Sequence, residues 1–199
     1  MKAKSELMKE KILKAVIELF MEKGIEKVTT RDLTDRLGVA RSHIYHYFKD
    51  WQSLSIEAIS GFMHDELDEF QSIIAPMPAR KKLQEFIDGI VSEAPDPTRK
   101  LYSSLWLLST HNTAYSELME SFLDRWHQVL TDIIVSGMNE RVFCSVDAQR
   151  VARQLDALLF GYSEHLFTLP SEGLLKEAQE DIDDFIQRTL LARSEKEIN

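Results

Sequence analysis

Hydrophobic residues recur along this chain with the three- and four-residue spacing of amphipathic α-helices. Between Met8 and Lys23 they occupy positions i, i+3, i+4, i+7 and i+8, namely Ile12, Ala15, Val16, Leu19 and Phe20. Gly24 follows as a helix-ending residue. The pattern predicts a first helix that buries one face and stops at Gly24.

Two shorter helices are predicted next, on either side of Gly38. Thr29 stands where an N-cap is expected, and Asp32 lies near the positive end of the helix that follows. The inward positions of the two helices are Leu33, Leu37, Ile44, Tyr45 and Phe48. Two helices across a glycine-containing turn form a helix-turn-helix, whose second helix enters the major groove of DNA. We therefore predict a DNA-binding domain at residues 1–50.

The remaining pattern predicts helices at residues 53–74, 80–93, 101–110, 112–139, 145–169 and 172–193, with Asn112 as an N-cap and prolines at several breaks. Together with the first three this makes about nine helices and no strand. The expected fold class is all-α. Residues 51–199 are expected to form a helical ligand-binding and dimerisation domain.

Charge is distributed unevenly. The chain carries a net charge of −9, but residues 1–53 hold 11 Lys or Arg and 8 Asp or Glu, a balance of +3, which leaves −12 for the rest. A locally basic end is compatible with phosphate contacts. The charged start has no apolar core of a signal peptide, no stretch reaches the roughly 20 apolar residues of a membrane span, and Cys144 is a single cysteine. We expect a cytoplasmic protein without a cofactor.

The second helix of the motif carries the side chains expected to contact DNA. Arg41 has the geometry for a guanine edge, and Ser42 and His43 are donors at the groove-facing start of the helix. The residues best placed for phosphates are Thr30, Arg31, His46, Tyr47 and Lys49. A helix surface without a binding role would favour Lys, Glu and Ala instead. His43 and His46 have a spacing that also suits a metal, but no carboxylate or thiol joins them, so a DNA contact is preferred.

The same stretch resembles the TetR-type bacterial one-component regulators. The resemblance rests on Ala15, Leu19, Phe20 and Gly24, on T-x-x-x-[IL] at residues 29–33, and on G-V-x-x-x-x-[IL]-Y-x-[HY]-F at residues 38–48. It implies about nine helices, and it implies that Tyr45 approaches base methyls or phosphate. Many members have a lysine at the start of the fourth helix, where this sequence has Trp51. We expect Lys49 to take the electrostatic role there, with the Trp51 indole able to donate to a phosphate.

The later segment around Trp106 is similar to the choline-responsive betaine-synthesis repressors of this family. The similarity implies a small quaternary ammonium ligand, held by an aromatic cage and a carboxylate. The predicted ligand residues are Phe86, Tyr102, Trp106, Phe122, Trp126, Asp156, Phe160 and Glu164, with Tyr162 as a further wall and Glu93 as a further counter-charge. Each aromatic residue also fits a helix core. Asp156 fits a pocket, a dimer contact or a hydrogen bond to a neighbouring helix.

Two apolar stripes near the end of the chain predict a homodimer through a four-helix interface. They contain Val151, Leu155, Leu158, Leu159 and Tyr162, then Ile182, Phe185, Ile186, Thr189 and Leu190. The alternative is that they close the monomer's own core.

The sequence therefore predicts a repressor that binds a pseudo-palindromic operator in double-stranded DNA and leaves it when a small molecule, such as a small or lipophilic cation, binds. Control by a protein partner is the alternative. An enzyme is not expected, because the sequence has no nucleophile elbow, phosphate loop, metal motif or dinucleotide fingerprint.

Overall fold

The computed structural model describes residues 2–91 and 98–191. Within these residues the chain forms nine α-helices and no strand, which confirms the predicted all-α fold. The helices are α1 (Lys2–Lys23), α2 (Thr30–Leu37), α3 (Arg41–Ile44), α4 (Trp51–Ile74), α5 (Ala79–Ile90), α6 (Arg99–Ser109), α7 (Thr113–Asn139), α8 (Ala148–Thr168) and α9 (Glu172–Ile186). A 3₁₀ turn at Ile25–Lys27 precedes α2, and a π-helical turn at Gln187–Leu191 follows α9.

The helices pack into two compact units. The first comprises Met1–Asp68 and Asp96–Phe122, and the second comprises Glu69–Pro95 and Leu123–Asn199. The first unit thus joins the N-terminal helices to α6 and to the start of α7. The predicted boundary at residue 50 separates two functions, and it stays a prediction.

The first unit has a continuous hydrophobic core. The predicted face of α1 is buried at all five positions, Ile12, Ala15, Val16, Leu19 and Phe20. Leu33 of α2, Ile44 of α3 and Phe48 join this core, and Leu101 and Leu105 of α6 complete it. Each such leucine removed from water contributes about 1.5–3 kcal/mol. Helix α6, although remote in sequence, therefore helps to hold the N-terminal helices together.

Helix α2 begins at a capping box. The Thr29 hydroxyl accepts a hydrogen bond from the backbone N–H of Asp32 at 3.3 Å, and the Asp32 carboxylate accepts one from the backbone N–H of Thr29 at 2.8 Å. These bonds satisfy amides that the helix itself leaves unpaired. At the other end Gly38 adopts a left-handed conformation with φ of 65°, as the predicted turn requires. Both signals in the sequence are confirmed.

Several helix boundaries differ from the predictions. Helix α4 begins at Trp51 rather than residue 53, because the Asp50 carboxylate accepts a hydrogen bond from the Ser53 backbone at 2.7 Å. Helix α8 begins at Ala148 rather than residue 145, with Asp147 as its N-cap. Asn112 does cap α7, as predicted, by accepting from the backbone N–H of Ala114. The predicted end of α9 at residue 193 lies outside the described residues.

The second unit is closed by a tight turn after α7. The backbone N–H of Ala79, at the start of α5, donates to the Glu140 carboxylate at 3.0 Å, which supplies a cap that Pro78 does not provide. Gly137 lies against the ring of Phe143, so closely that a Cβ atom would approach a ring carbon to 1.9 Å. Glycine is therefore required at this buried position.

The predicted stripes on α8 and α9 divide between two environments. Five of their residues are buried within the chain: Val151, Leu155, Leu159, Ile182 and Leu190. The other five, Leu158, Tyr162, Phe185, Ile186 and Thr189, are half-buried. These five positions fit the alternative, that the stripes close the monomer's own core, because they are buried within the chain, where α8 packs on α9 and on α5. The outward face of α8 instead carries Ala157, Phe160, Gly161 and Phe167.

Candidate nucleic-acid interface

Helix α3 presents a polar surface to the outside and an apolar one to the core. The three predicted base-reading residues, Arg41, Ser42 and His43, are exposed, whereas Ile44 is fully buried. Hydrogen bonds from the His46 amide to the Ser42 carbonyl at 3.1 Å and from the Phe48 amide to the Ile44 carbonyl at 3.3 Å continue the turn beyond Ile44. The short helix is thus extended by about one turn that carries further predicted contacts.

The turn between α2 and α3 forms a shallow concavity of about 460 Å³ on the outer surface. It is lined by Val39, Ala40, Ser42, His43 and His46. Val39 is half-buried and packs against the core, which fixes the floor of this concavity. The exposed polar residues of α3 therefore stand at the rim of a rigid surface.

Three predicted DNA contacts touch one another. The hydroxyl groups of Thr30 and Tyr45 form a hydrogen bond of 3.0 Å, and the Arg41 guanidinium lies over the Tyr45 ring with its Cζ atom 5.4 Å from the centroid. Arg41 and Tyr45 are four residues apart, so they share a helical face. This contact connects the first residue of α2 to the start of α3.

The remaining predicted contacts lie beside this group. The Tyr47 ring meets the rings of His43 and His46 edge to face, at centroid distances of 5.5 and 5.1 Å. Lys49 is exposed. Arg31 is also exposed and forms only a long ion pair of 3.7 Å with Asp35, which adds little rigidity.

Trp51 has a structural role. It is half-buried and meets Phe20 edge to face, with the ring centroids 6.2 Å apart. The indole thus packs against the core of the first unit. This packing does not support a phosphate contact of the indole, which stays a prediction. Lys49, two residues earlier, is exposed at the surface.

Charged contacts fix the orientation of α2 against α1. Arg36 donates two hydrogen bonds to the Glu22 carboxylate at 2.8 and 2.7 Å, in the bidentate geometry that arginine favours. Lys23 donates to Asp32 at 2.6 Å. The Lys23 ammonium and the Thr29 bonds hold the pKa of the Asp32 carboxyl far below its usual range. The carboxylate that caps α2 therefore stays ionised.

The first unit brings two predicted ligand residues together with one acid. The rings of Tyr102 and Phe122 stack at 5.1 Å with an interplanar angle of 22°, and the Tyr102 hydroxyl donates to the carboxylate of Glu66. Glu66 was not predicted as a ligand residue, because α4 was interpreted as a connector. The available signal in the sequence was its spacing of four residues from both Phe62 and Phe70, which places it on the same helical face. Trp106 belongs to the same unit, but its side chain is 46% exposed.

The second unit contains a separate aromatic cluster. Phe86 and Trp126 have centroids 5.9 Å apart, and Phe70, which was not predicted, lies 5.2 Å from Trp126. Phe86 is buried, so its role as helix core and its role as a ligand wall both fit the geometry.

Asp156 pairs with a neighbouring helix, one of its three predicted alternatives. Its carboxylate lies 2.7 Å from Nδ1 of His127 on α7. Burial raises the pKa of Asp156, and the His127 contact opposes part of that rise. His127 was not predicted, although its position next to Trp126 in the sequence was a signal.

The other predicted ligand residues of this unit lie in different surroundings. Phe160 is 45% exposed, Glu164 is half-buried, and Tyr162 donates to Asp181 of α9. Glu93 lies outside the described residues.

Two further observations concern membrane spans and metal sites. Among residues 2–91 and 98–191, no helix combines the length and the apolar character needed to cross a membrane. The same part of the chain holds no cluster of three His, Cys, Asp or Glu side chains suited to a metal ion.

Comparison with known proteins agrees with the geometry. Residues 12–58 match the family described as bacterial regulatory proteins, tetR family, and residues 79–191 match the C-terminal domain described as a BetI-type transcriptional repressor. The HTH-type transcriptional repressor KstR2 of Rhodococcus jostii is 26% identical over 132 residues, which cover 63% of this chain. The match spans 65% of that repressor, slightly less than two thirds of its length.

Solved structures share the fold. A protein from Saccharomonospora viridis, described as a transcriptional regulator in complex with choline, superposes with a TM-score of 0.82 at 22% identity, over 94% of this chain and 100% of the other. A TetR transcription regulator from Haloarcula marismortui gives 0.79 at 18% identity, over 92% and 97%. The matched family comprises transcriptional regulators and not enzymes. This chain therefore belongs to the tetR family of bacterial regulatory proteins and carries a BetI-type C-terminal domain.

Proposed function

We propose that this protein is a homodimeric repressor that acts in the cytoplasm, binds a pseudo-palindromic operator through α3 and leaves it when a small cation binds. The observation that carries the DNA-binding part is the capped α2–α3 pair with Arg41, Ser42 and His43 exposed on a rigid surface. Exposed arginine and polar side chains on a helix beside a glycine turn suit base edges in a major groove.

The charge distribution supports the same proposal. Residues 1–53, which include α3, carry a balance of +3, while the rest of the chain carries −12. Arg31 and Lys49 are exposed and would contact phosphates. Each phosphate contact steepens the dependence of log K on log salt by about 0.9. Operator binding should therefore weaken steeply as salt rises.

The homodimer rests on the outward face of α8. Ala157 and Gly161 are small residues four positions apart, and Phe160 and Phe167 lie on the same exposed side. Small residues allow two helices to approach closely, and the phenylalanines would lose water on association. With α9 from each protomer this makes a four-helix contact. Two recognition helices then read two half-sites, which compensates for the small interface of each.

The effector class rests on the first unit. The stacked rings of Tyr102 and Phe122 beside the Glu66 carboxylate combine aromatic faces with a negative charge, the features that bind quaternary ammonium groups. The choline complex described for the Saccharomonospora viridis protein supports the same class of ligand. We assign Glu66 as the counter-charge of this site, beside Tyr102 and Phe122 of the predicted set.

Helix α6 would carry the effector signal to the N-terminal helices. It bears Tyr102, and it also bears Lys100, whose ammonium donates to the Glu22 carbonyl at the end of α1 at 3.2 Å. If a ligand displaced Tyr102, the accompanying shift of α6 would therefore also move the end of α1. The ligand shifts the population toward the DNA-free state only by its difference in affinity for the two states.

The test of DNA binding uses a duplex selected by the full chain from a randomised library. Arg41→Ala and Tyr47→Ala should each weaken binding to that duplex about tenfold. Lys81→Ala, which removes an exposed positive charge from α5, is the control and should leave affinity within about twofold. Wild-type affinity in both the Arg41→Ala and the Tyr47→Ala variant would refute the assignment of the DNA-binding surface.

The dimer is tested by analytical ultracentrifugation at micromolar concentration. Gly161→Arg places a long charged side chain on the outward face of α8 and should yield monomer. Gly89→Arg is a matched control, because Gly89 is also an exposed helical glycine with open space around it. A monomeric wild type, or a Gly161→Arg variant that stays dimeric, contradicts this face.

The effector is tested by titration calorimetry with choline and with 3,3-dimethyl-1-butanol, its uncharged isostere. Choline should bind and the alcohol should not, and Glu66→Gln should weaken choline binding. A lipophilic cation such as tetraphenylphosphonium distinguishes a small-cation site from a multidrug-type site. Equal heats for choline and its isostere would exclude a charge-selective site.

Control by a protein partner is the second candidate function. The observation in its favour is the exposure of Trp106 and Leu107 on α6, at 46% and 56%. Aromatic and leucine side chains on one surface suit a protein contact. An operator complex that responds to no cation would favour this alternative.

A further inference from the structure

The predicted base-reading arginine, Arg41, is in contact with Tyr45 before any DNA is present, and Tyr45 is in turn bonded to Thr30. The Arg41 guanidinium lies over the Tyr45 ring, and the Tyr45 hydroxyl is hydrogen-bonded to Thr30. We propose that Tyr45 is a positioning residue that holds Arg41 ready for a guanine edge, with Thr30 anchoring the ring. The proposal rests on the proposed function, because it requires α3 to enter the major groove.

The anchor of this group is rigid. Thr30 is the first residue of α2, directly after the capping box of Thr29 and Asp32. Lys23 ties the same Asp32 to the end of α1. A hydrogen bond to Thr30 therefore fixes the Tyr45 ring relative to α1 and α2 as well as to α3.

The contact with Tyr45 leaves Arg41 able to read a base. The guanidinium lies over the ring with its Cζ atom 5.4 Å from the centroid, and a contact of this kind uses none of its N–H donors. Those donors match the O6 and N7 acceptors of guanine in a bidentate contact. A long side chain such as arginine otherwise loses about 2 kcal/mol of rotamer freedom when it becomes ordered. Because the Tyr45 ring already holds the Arg41 side chain in the free protein, part of this entropic cost is removed before DNA binds. We call this ring the Tyr45 platform.

The Tyr45 hydroxyl has a defined partner in the free protein. Its bond to Thr30 uses the single O–H donor of one of these two hydroxyls, both of which the sequence assigned to DNA contacts. The hydroxyl that donates has no second O–H for a phosphate, so such a contact would break the bond. The bond therefore favours an indirect role, in which Tyr45 and Thr30 act on the operator through Arg41.

The experiment measures base discrimination rather than affinity alone. The probe is the duplex selected by the full-length chain, with each guanine replaced in turn by 7-deazaguanine, which lacks the N7 acceptor. For the wild type, one guanine in each half-site should lower affinity about tenfold when replaced. In Tyr45→Leu, which removes the platform, this ratio should fall below about threefold.

Milder variants separate positioning from folding. Tyr45→Phe and Thr30→Val keep the apolar volume but remove the hydroxyl bond, so they should give ratios between those of wild type and Tyr45→Leu. Arg41→Ala should abolish the ratio, and adding Tyr45→Leu to it should change nothing further. Tyr47→Leu is the matched control, because Tyr47 contacts His43 and His46; it should keep the wild-type ratio even where affinity falls.

The outcomes are distinct. A wild-type ratio in Tyr45→Leu overturns the inference, as does a wild type that is insensitive at every guanine. If Tyr45→Leu does not fold, wild-type ratios in both Tyr45→Phe and Thr30→Val overturn it equally. A wild type that selects no duplex overturns the proposed function itself. A reduced ratio in the Tyr45 and Thr30 variants, with an unchanged ratio in Tyr47→Leu, supports the inference.

Discussion

Gly24 closes α1 in a conformation that almost only glycine adopts, so Gly24→Ala should destabilise the protein. Its dihedral angles are φ 87° and ψ 153°, and a Cβ atom there would lie 2.7 Å from Oγ of Ser104 on α6. The substitution therefore imposes two separate costs, one on the backbone and one on the contact between α1 and α6.

The size of the effect follows from these two terms. The backbone conformation costs a non-glycine residue about 1–3 kcal/mol. Moving the Ser104 side chain to a poorer rotamer adds about 1 kcal/mol. Alanine recovers about 0.4–1 kcal/mol by restricting the unfolded chain. We expect a net loss of about 2 kcal/mol in the free energy of unfolding.

The assay is urea unfolding followed by circular dichroism, at one protein concentration because dimerisation contributes to stability. Ser104→Ala should restore about 1 kcal/mol in the Gly24→Ala background, since it removes the contact but not the backbone strain. Gly61→Ala is the control in the same unit; this helical glycine has open space, so alanine should stabilise by about 0.5–1 kcal/mol. A loss below about 0.5 kcal/mol for Gly24→Ala would refute the reasoning.

Four further predictions concern stability. Gly137→Ala should cost more than about 2 kcal/mol by urea unfolding, because its Cβ would overlap the Phe143 ring, and Phe143→Leu should recover part of that loss; no recovery would contradict the overlap. Thr29→Ala should lower the free energy of unfolding by about 1 kcal/mol through loss of the cap. The lowered pKa of Asp32 means that its contribution is present above the ordinary aspartate pKa of about 3.9 and is lost as pH falls below it, so Asp32→Asn should flatten that acid limb. The raised pKa of Asp156 gives the opposite pH dependence. The stability contributed by this carboxyl is fully present below the ordinary aspartate pKa and is lost as pH rises through the higher pKa of the folded state. Asp156→Asn should therefore remove a decline in stability that begins near pH 4, and an unchanged profile would contradict the burial of this carboxyl.

Local features were predictable from sequence because they depend on neighbours along the chain. The buried face of α1 follows from helical periodicity, and the cap at Thr29 follows from the short distance between its side chain and the next amides. The turn at Gly38 needs a left-handed residue, and the cap at Asn112 begins α7 as predicted.

One boundary error arose where two local signals competed. The start of α8 was placed three residues early, because Ser145 and Asp147 both suit an N-cap and only the folded backbone selects Asp147. At Trp51, where many family members have a lysine, the ring packs on Phe20, since a large apolar surface is better buried than exposed. A phosphate contact of its indole stays a prediction.

The amino-acid sequence by itself determined the helices, their caps, the glycine turn and the polar surface of α3, because these depend on periodicity and on contacts a few residues apart. Only the tertiary structure decided which remote residues meet. Glu66 and Tyr102 are 36 positions apart, Gly24 and Ser104 are 80 apart, and Tyr45 reaches Thr30 across a turn. It also decided which residues of α8 are buried and which stay exposed. Such contacts depend on how the helices pack. An apolar stripe in the sequence predicts that a helix face is buried, but it does not identify the element that buries it.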